Sequence, residues 1–318
     1  MSSSSAHPPL LAIVGPTASG KSALGIFLAK EFRGEVIACD STQLYRGFDI
    51  GTAKPAQSEL ATVAHHLLDI LDPAEESTAG GYRERAIGVL DDLRRRGSLP
   101  VITAGTGLYL RVLLDGLADL PLRSEEIRER LRASARAHGP GHLHEMLARL
   151  DQTGAAKISA TDEQKLIRAI EICLLAQKPL SEVHGAGRKP LTGWNVMKIG
   201  LRPERQALHQ RIYARTDAML QAGWLEEVAR LMGSGLRENA KPFHFIGYRE
   251  LRSHLRGELS LEAAREAIQQ GTRQYAKRQL TWFRREQDVH WLAGFGDEAT
   301  VKDEARRWLA ARVFPESA

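Results

Sequence analysis

Cysteine is nearly absent from this chain: Cys39 and Cys173 are the two in 318 residues. Alone they build neither a disulfide framework nor a four-ligand zinc site, which fits a reducing, cytoplasmic compartment. Cys39 reads as a small buried residue and Cys173 as part of a helix core. Long apolar runs are missing too. None approaches the roughly 18 residues of a membrane span, and the opening MSSSSAHPP lacks the charged-then-apolar pattern of a signal peptide. Residues 1–9 are expected to be a disordered tail. Metal-site spacing is also lacking: His65 and His66 are adjacent with no third ligand at a usable distance, and HLHEM at 142–146 is not a metalloprotease pattern. What remains is ordinary globular material, 43% hydrophobic and 26% charged, in a length that suits two domains or one with an insertion. The net charge of +5 is mildly basic, and its concentration in the last third matters more than its sum.

The most informative stretch is LLAIVGPTASGKS, residues 10–22. An apolar strand runs into Gly15, Pro16, Thr17, Ala18, Ser19, Gly20, Lys21 and Ser22, a Gly-x-x-x-x-Gly-Lys-Ser loop that opens a helix. Gly15 and Gly20 let the backbone curl so that successive N–H groups point inward. Lys21 adds a mobile positive charge, and Ser22 can ligate Mg2+. This is the local pattern of a nucleotide or diphosphate cradle, with ATP one candidate occupant.

Strands are expected at 10–14, 35–39 and 99–104, with helices over 23–32 and 81–96 between them. Such alternation predicts an α/β fold, a P-loop NTPase-like parallel sheet flanked by helices. Ligands collect at the C-terminal strand edges of these sheets, so the phosphate loop, Asp40 and the AGTGLY turn at 104–109 should converge. After residue 119 the strand signal vanishes and amphipathic helices follow one another, the first starting at Ser124 before Glu125 and Glu126. Residues 181–193 read as a Gly/Pro-rich return loop, and 196–201 as one more core strand. The expected organisation is a core of 10–119 and 194–318, interrupted by a helical insertion domain at 120–193 that can move as a lid. Beyond it the chain reads as helical through 285.

The inventory around the loop is unusual for a nucleotide hydrolase. The strand at 99–104 ends without the carboxylate that would hold Mg2+ through water, and no Asn-Lys-x-Asp guanine signature occurs. The strand that does end in an acid is EVIACD. A lone carboxylate there is more often a metal ligand or turn residue. Ser41, Gln43 and Tyr45 beside it are nevertheless groups that could hydrogen-bond a nucleobase edge while Asp40 takes its proton. Near the C-terminus, in TRQYAKRQLTWFRRE, Arg273, Lys277 and Arg284 share roughly one helical face, with Arg278 and Arg285 alongside. Such a stripe is either a solvated charged face or a track for a phosphate backbone.

GPTASGKS, DSTQLYRGFDIGTAKP, HHLLDILDP, AGTGLYL, IGYREL and TRQYAKRQLTWFRR follow in this order. Together they resemble the tRNA dimethylallyltransferase family, the bacterial tRNA isopentenyltransferases, over residues 10–285; the second and last motifs are the specific ones. The resemblance implies Mg2+-dependent transfer of a dimethylallyl group from dimethylallyl diphosphate to N6 of adenosine 37. That base lies in the anticodon stem-loop of tRNAs reading codons that begin with U. A monomeric cytoplasmic enzyme without membrane attachment is implied as well. By the same resemblance Asp40 accepts the N6 proton, Thr106 hydrogen-bonds the diphosphate across the reacting centre, and Arg215 joins the phosphate loop in balancing the departing charge.

The tRNA would be held by Asp40, Ser41, Thr42, Gln43 and Thr106 around a flipped adenine, and by Arg128. Further contacts are implied for Ile167, Arg168, Ala169, Ile170 and Glu171 on an insertion helix, and for His244, Phe245, Ile246, Gly247, Tyr248 and Arg249. The last set is Lys277, Arg278, Gln279, Leu280, Thr281, Trp282, Phe283 and Arg284. Departures from the family pattern are Thr42 for Met, Leu44 for Val, Ala104 for the first of two glycines and Ile167 for Gln. The C-terminal zinc finger of animal and yeast relatives is not found. These bear on RNA specificity rather than on the reaction. The alternatives are an ATP-dependent small-molecule kinase, a non-catalytic tRNA-binding protein, and a prenyltransferase of free adenine nucleotides, which the basic C-terminal segment disfavours.

Overall fold

Six parallel strands are hydrogen-bonded in the order β3-β2-β4-β1-β5-β6 in the computed structural model, which describes residues 7–117, 120–185 and 188–313. They are β1 (Pro9–Val14), β2 (Gly34–Cys39), β3 (His65–His66), β4 (Leu99–Ala104), β5 (Asn195–Leu201) and β6 (Val289–Leu292). The central strands β1 and β4 are apolar along nearly their whole length, as strands covered on both faces must be. Leu11 of β1 pairs with Val101 of β4 on one side and Met197 of β5 on the other. This register sets the loops that leave β1, β2 and β4 side by side at one edge.

Chain contacts divide the molecule into two units, Met1–Leu113 with Thr192–Ala318, and Leu114–Leu191. In the first, α1 (Lys21–Glu31) lays Leu24, Leu28 and Ala29 into the cluster formed by Leu11, Ile13, Val36 and Val101. After the single turn α2 (Gln57–Leu60) comes α3 (Ala79–Arg96). Thr78 starts α3 by accepting a hydrogen bond from Gly81 N, and Gly97 at φ 65° ends it, as a left-handed C-cap requires. The helix α4 (Gly107–Asp115) leaves the turn after β4.

Among the described residues, the regular elements that lie wholly within the second unit are helices: α5 (Glu125–His138), α6 (His142–Leu150), α7 (Gln152–Ala155), α8 (Glu163–Ala176) and α9 (Leu180–Gly185). Leu131, Leu143, Leu147, Leu166, Ile170 and Cys173 form its core, each removal from water contributing about 2 kcal/mol for the larger side chains. Side-chain oxygens of Ser124, Asp151 and Asp162 cap α5, α7 and α8.

The chain then returns to the sheet through β5 and continues as α10 (Arg205–Gln221), α11 (Trp224–Gly233), α12 (Tyr248–Leu255), the long α13 (Leu261–Phe283) and α14 (Ala299–Val313). Val301, Ala305 and Leu309 of α14 join the cluster under α1.

The outcome departs from expectation in three respects. The tail is shorter than residues 1–9, because Asn195 N donates to Pro8 O and Pro9 already pairs in β1; the rest of the expected tail, 1–6, lies outside the described residues. The return loop starts later, since 181–185 belong to α9. The sheet also has two strands that periodicity does not announce. The first, β3, is the His65–His66 pair, where His66 Nε2 meets Glu35 Oε2 at 2.7 Å. The second is β6, followed by α14, beyond the residue 285 at which the helical reading stopped.

Candidate active site

The loop after β1 is built for an anion. Gly15, Ala18 and Gly20 all adopt positive φ, at 149°, 62° and 86°, curling the backbone before α1 begins without a side-chain cap. Gly20 also has no room for a Cβ, because the Gly296 and Asp297 backbone presses against it, and Gly296 N donates to Ser19 O at 2.9 Å. Lys21 folds back to donate to Pro16 O at 2.7 Å. Burial pushes its ammonium down to about 8, with Asp40 opposing that fall and Arg215 adding to it. Arg215 enters from α10, its guanidinium 3.5 Å from Thr17 Oγ1. Burial, then neighbouring Arg211, lower its pKa, while Asp40 raises it. These groups line a cavity of about 270 Å³ that also contains Ser22, Asp40 and Arg211. Cations dominate its wall, so an anion is the fitting occupant.

Adjacent strands β2 and β4 deliver the other two turns. Gly105 N and Thr106 N both donate to Cys39 O at 3.0 Å, locking the turn after β4 to the end of β2. Ser41 N donates to Thr106 Oγ1 at 2.9 Å. Asp40 Oδ1 accepts from Thr42 N at 3.0 Å and from the Thr42 hydroxyl at 2.8 Å, so the residue that departs from the family pattern holds the carboxylate. Burial pushes the neighbouring Cys39 thiol up to about 12, so it stays neutral.

The loop beyond is tied internally. Gln43 Nε2 donates to Thr52 O and Ala53 O, which commits to the fold an amide that the sequence offered to a base. The Lys54 ammonium, 6% exposed, bonds Tyr45 O, Asp49 and Asp69. Buried Glu227 of α11 accepts from Asp49 N at 3.1 Å, Ile50 N at 3.0 Å and the Tyr248 hydroxyl at 2.6 Å.

A second cavity, of about 290 Å³, opens on the far side of Asp40. Ile212, Met219, Trp224, Phe245, Ile246 and Ile268 make it largely apolar, and Ser41, Thr42, His244 and Tyr275 add polar atoms. Thr17, Ala18, Asp40, Thr52 and Arg215 border both cavities. Asp40 therefore stands where an anion cradle meets a chamber for a flat or branched apolar group.

The residues expected to bind RNA divide sharply. On α8, Ile167, Ala169 and Ile170 are core and Glu171 is fully buried, so these four side chains offer RNA no surface. Glu171 instead accepts from Arg128 Nε at 2.9 Å, Arg168 at 2.6 Å and Ser124 N at 2.8 Å. Burial alone would raise its pKa, yet Arg128, Arg168 and Ser124 hold the carboxyl below its usual range. The Arg128 and Arg168 side chains are partly exposed.

In the 244–249 segment, His244, Phe245 and Ile246 line the apolar chamber, Gly247 and Tyr248 are buried, and Arg249 is exposed. Along α13, Lys277, Arg278, Thr281 and Arg284 face solvent, Leu280 is half-buried, and Gln279 and Phe283 point inward. Trp282 packs on Gly107, with the Arg111 guanidinium 4.4 Å above its ring. A cleft on the outer side of α13 is lined by Arg202, Arg205, His209, Arg273, Lys277 and Arg284 with no carboxylate among its described residues. Glu227, Lys54, Arg211 and Tyr275 escaped sequence reasoning as parts of the site. Lys54 and Tyr275 lie within motifs that were singled out, DSTQLYRGFDIGTAKP and TRQYAKRQLTWFRR; the other two do not.

Two family models match this chain: IPP transferase over residues 43–286 and isopentenyl transferase over residues 8–72. A tRNA dimethylallyltransferase of Koribacter versatilis is 51% identical over 94% of this chain and 97% of its own length. That of Solibacter usitatus is 46% identical over 93% and 96%. Among solved structures, the tRNA isopentenylpyrophosphate transferase of Bacillus halodurans superposes with a TM-score of 0.71 at 36% identity, covering 96% of this chain and 97% of that one. A eukaryotic dimethylallyltransferase acting on tRNA gives a TM-score of 0.80 at 26% identity, over 95% and 77%.

Proposed function

This chain belongs to the IPP transferase family, and from that membership we propose that it prenylates tRNA. It moves a dimethylallyl group from dimethylallyl diphosphate to N6 of adenosine 37 in tRNAs reading codons that begin with U. The products are N6-(dimethylallyl)adenosine and diphosphate. What supports the chemistry is one observation above all: Asp40 borders both the cationic cavity and the apolar chamber. A diphosphate lying over Lys21, Arg215 and the loop N–H groups would hold its prenyl carbon near that carboxylate. An adenine unstacked from the anticodon loop would approach from the chamber side.

The exocyclic N6 is a poor nucleophile because its lone pair is delocalised into the ring. As the bond from N6 to the prenyl carbon forms and the carbon–oxygen bond to diphosphate breaks, Asp40 accepts the N6 proton. Lys21, Arg215 and the backbone N–H groups of residues 15–22 take up the charge that develops on the leaving diphosphate. Thr106, held against Ser41, is within the same turn pair and orients the reacting groups. Ser22, exposed on the rim of the cationic cavity, supplies one hydroxyl for Mg2+. The ion would be held by this hydroxyl together with substrate oxygens and water, as Mg2+ at phosphate sites commonly is. Bound there, Mg2+ would neutralise diphosphate charge.

RNA would lie along the exposed basic face of α13, and one copy of the chain carries every group named, as a monomeric enzyme requires. The cytoplasm, where tRNA is used, is the proposed place of action; among the described residues no helix is long and apolar enough to cross a membrane. The test is transfer of labelled prenyl from dimethylallyl diphosphate to unmodified tRNA by wild type and Asp40→Asn. Strong incorporation, lowered about a hundredfold or more in the variant, is expected. A folded wild type that binds tRNA but transfers nothing would discard the proposal.

A further inference from the structure

Gln279 lies on α13 but is only 6% exposed, with its side chain turned away from solvent. Its amide bridges two loops that come from neighbouring strands. Oε1 accepts from Thr17 N, in the phosphate loop after β1, at 2.6 Å. Nε2 donates to Gly105 O, in the turn after β4, at 2.7 Å. The Tyr275 hydroxyl, one helical turn earlier, comes within 3.4 Å of the same carbonyl. Gly105 in turn abuts the Asp40 carboxylate so closely that a Cβ would collide with it, and its neighbour Thr106 holds Ser41 N. One amide thus spans from the anion cradle to the turns that carry the base. Thr17 presents an N–H and Gly105 a C=O, so the bridging group must both accept and donate; a primary amide does so at every pH, whereas a carboxyl of the same length does so only when protonated. Lys277 on the opposite face of the helix, Arg278 alongside and Arg284 at its C-cap are exposed.

We infer that Gln279 is a positioning residue for the proposed transfer rather than a tRNA contact. It sets the spacing between the phosphate loop and the Asp40–Thr106 turns, and it ties both to the helix whose outer face is basic. This rests on the transferase reading above. A one-ångström error between cradle and base is enough to slow an aligned displacement substantially.

Gln279→Glu and Gln279→Met test the inference in the labelled-transfer assay. The carboxylate of the first variant still accepts from Thr17 but faces the Gly105 carbonyl without a proton. Its kcat should fall about thirtyfold at pH 8, with the KM for tRNA within about twofold of wild type. Burial raises the pKa of such a carboxyl, so the deficit relative to wild type should shrink as pH falls toward about 6. Gln279→Met should be slow by a constant factor at every pH. A raised KM for tRNA with kcat intact would overturn the inference in favour of an RNA contact, and so would a Gln279→Glu deficit indifferent to pH. If wild type itself transfers nothing, the transferase proposal fails and affinity for inorganic diphosphate decides the bridge. Binding about fivefold weaker in Gln279→Met supports it, and unchanged binding overturns it.

Discussion

Gly105 is glycine for a reason of contact rather than of conformation: its φ is not positive, yet the Asp40 carboxylate occupies the place where a Cβ would stand. Gly105→Ala should therefore push the base out of line while leaving the sheet intact. The expected result is transfer reduced about a hundredfold with a melting temperature within a few degrees of wild type, read by labelled transfer and a thermal melt side by side. Lys21 makes a different prediction. Its pKa is depressed from 10.5 to about 8, chiefly by burial. Between those two values the unfolded chain holds a proton that the native chain lacks, so stability rises with pH across this window. A bound diphosphate reverses the preference by restoring the charge. Binding should consequently take up a proton above pH 8, and affinity for dimethylallyl diphosphate should weaken about tenfold per pH unit toward pH 10. Calorimetry in two buffers of different ionisation enthalpy measures this directly; the slope should vanish in Lys21→Met.

Among the elements, α11 contributes most through a single buried side chain. Glu227 accepts from two backbone N–H groups of the 49–50 loop and from the Tyr248 hydroxyl at the start of α12. Removing it in Glu227→Ala strands three donors and should cost about 3 kcal/mol, whereas Tyr248→Phe removes one partner and should cost about 1 kcal/mol; urea denaturation separates the two. No local signal could have revealed this, because Glu227 stands 178 residues from Asp49 and looks like any acid in the first turn of a helix. The phosphate loop and the Asp40 turn were readable for the opposite reason: strand, loop and helix follow within a few residues, and apolar runs announce the strands. The pair β3 and β6 were not, being two and four residues long with polar members. For α8 the periodicity itself held the answer, since Ile167 and Ile170 fall on one apolar stripe with Leu166 and Cys173. Assignment by family position carried these residues to RNA, and burial returns them to the core.

At the scale of the whole molecule, a net charge of +5 says little, but its placement says more. Lys277 and Arg284 border a cleft lined by cations without a carboxylate among its described residues. Binding of tRNA should weaken steeply with salt, and Lys277→Gln or Arg284→Gln should each reduce the slope of log affinity against log salt by about one unit. A filter-binding series from low to high potassium chloride measures it, and slopes unchanged in both variants would remove this face from the interface. The strand order carries a further consequence, for synthesis rather than for catalysis. In the finished sheet β1 lies between β4 and β5, so the strand feeding the phosphate loop pairs on one side with a segment made 186 residues later, Pro9 against Asn195. Until that segment emerges from the ribosome, the nascent chain carries the flank of β1 bare, while the 114–191 unit is completed between the two halves of its host. A polypeptide arrested near residue 191 would expose a flat, apolar, unpaired strand edge, the kind of surface that chaperones bind and that aggregates without them.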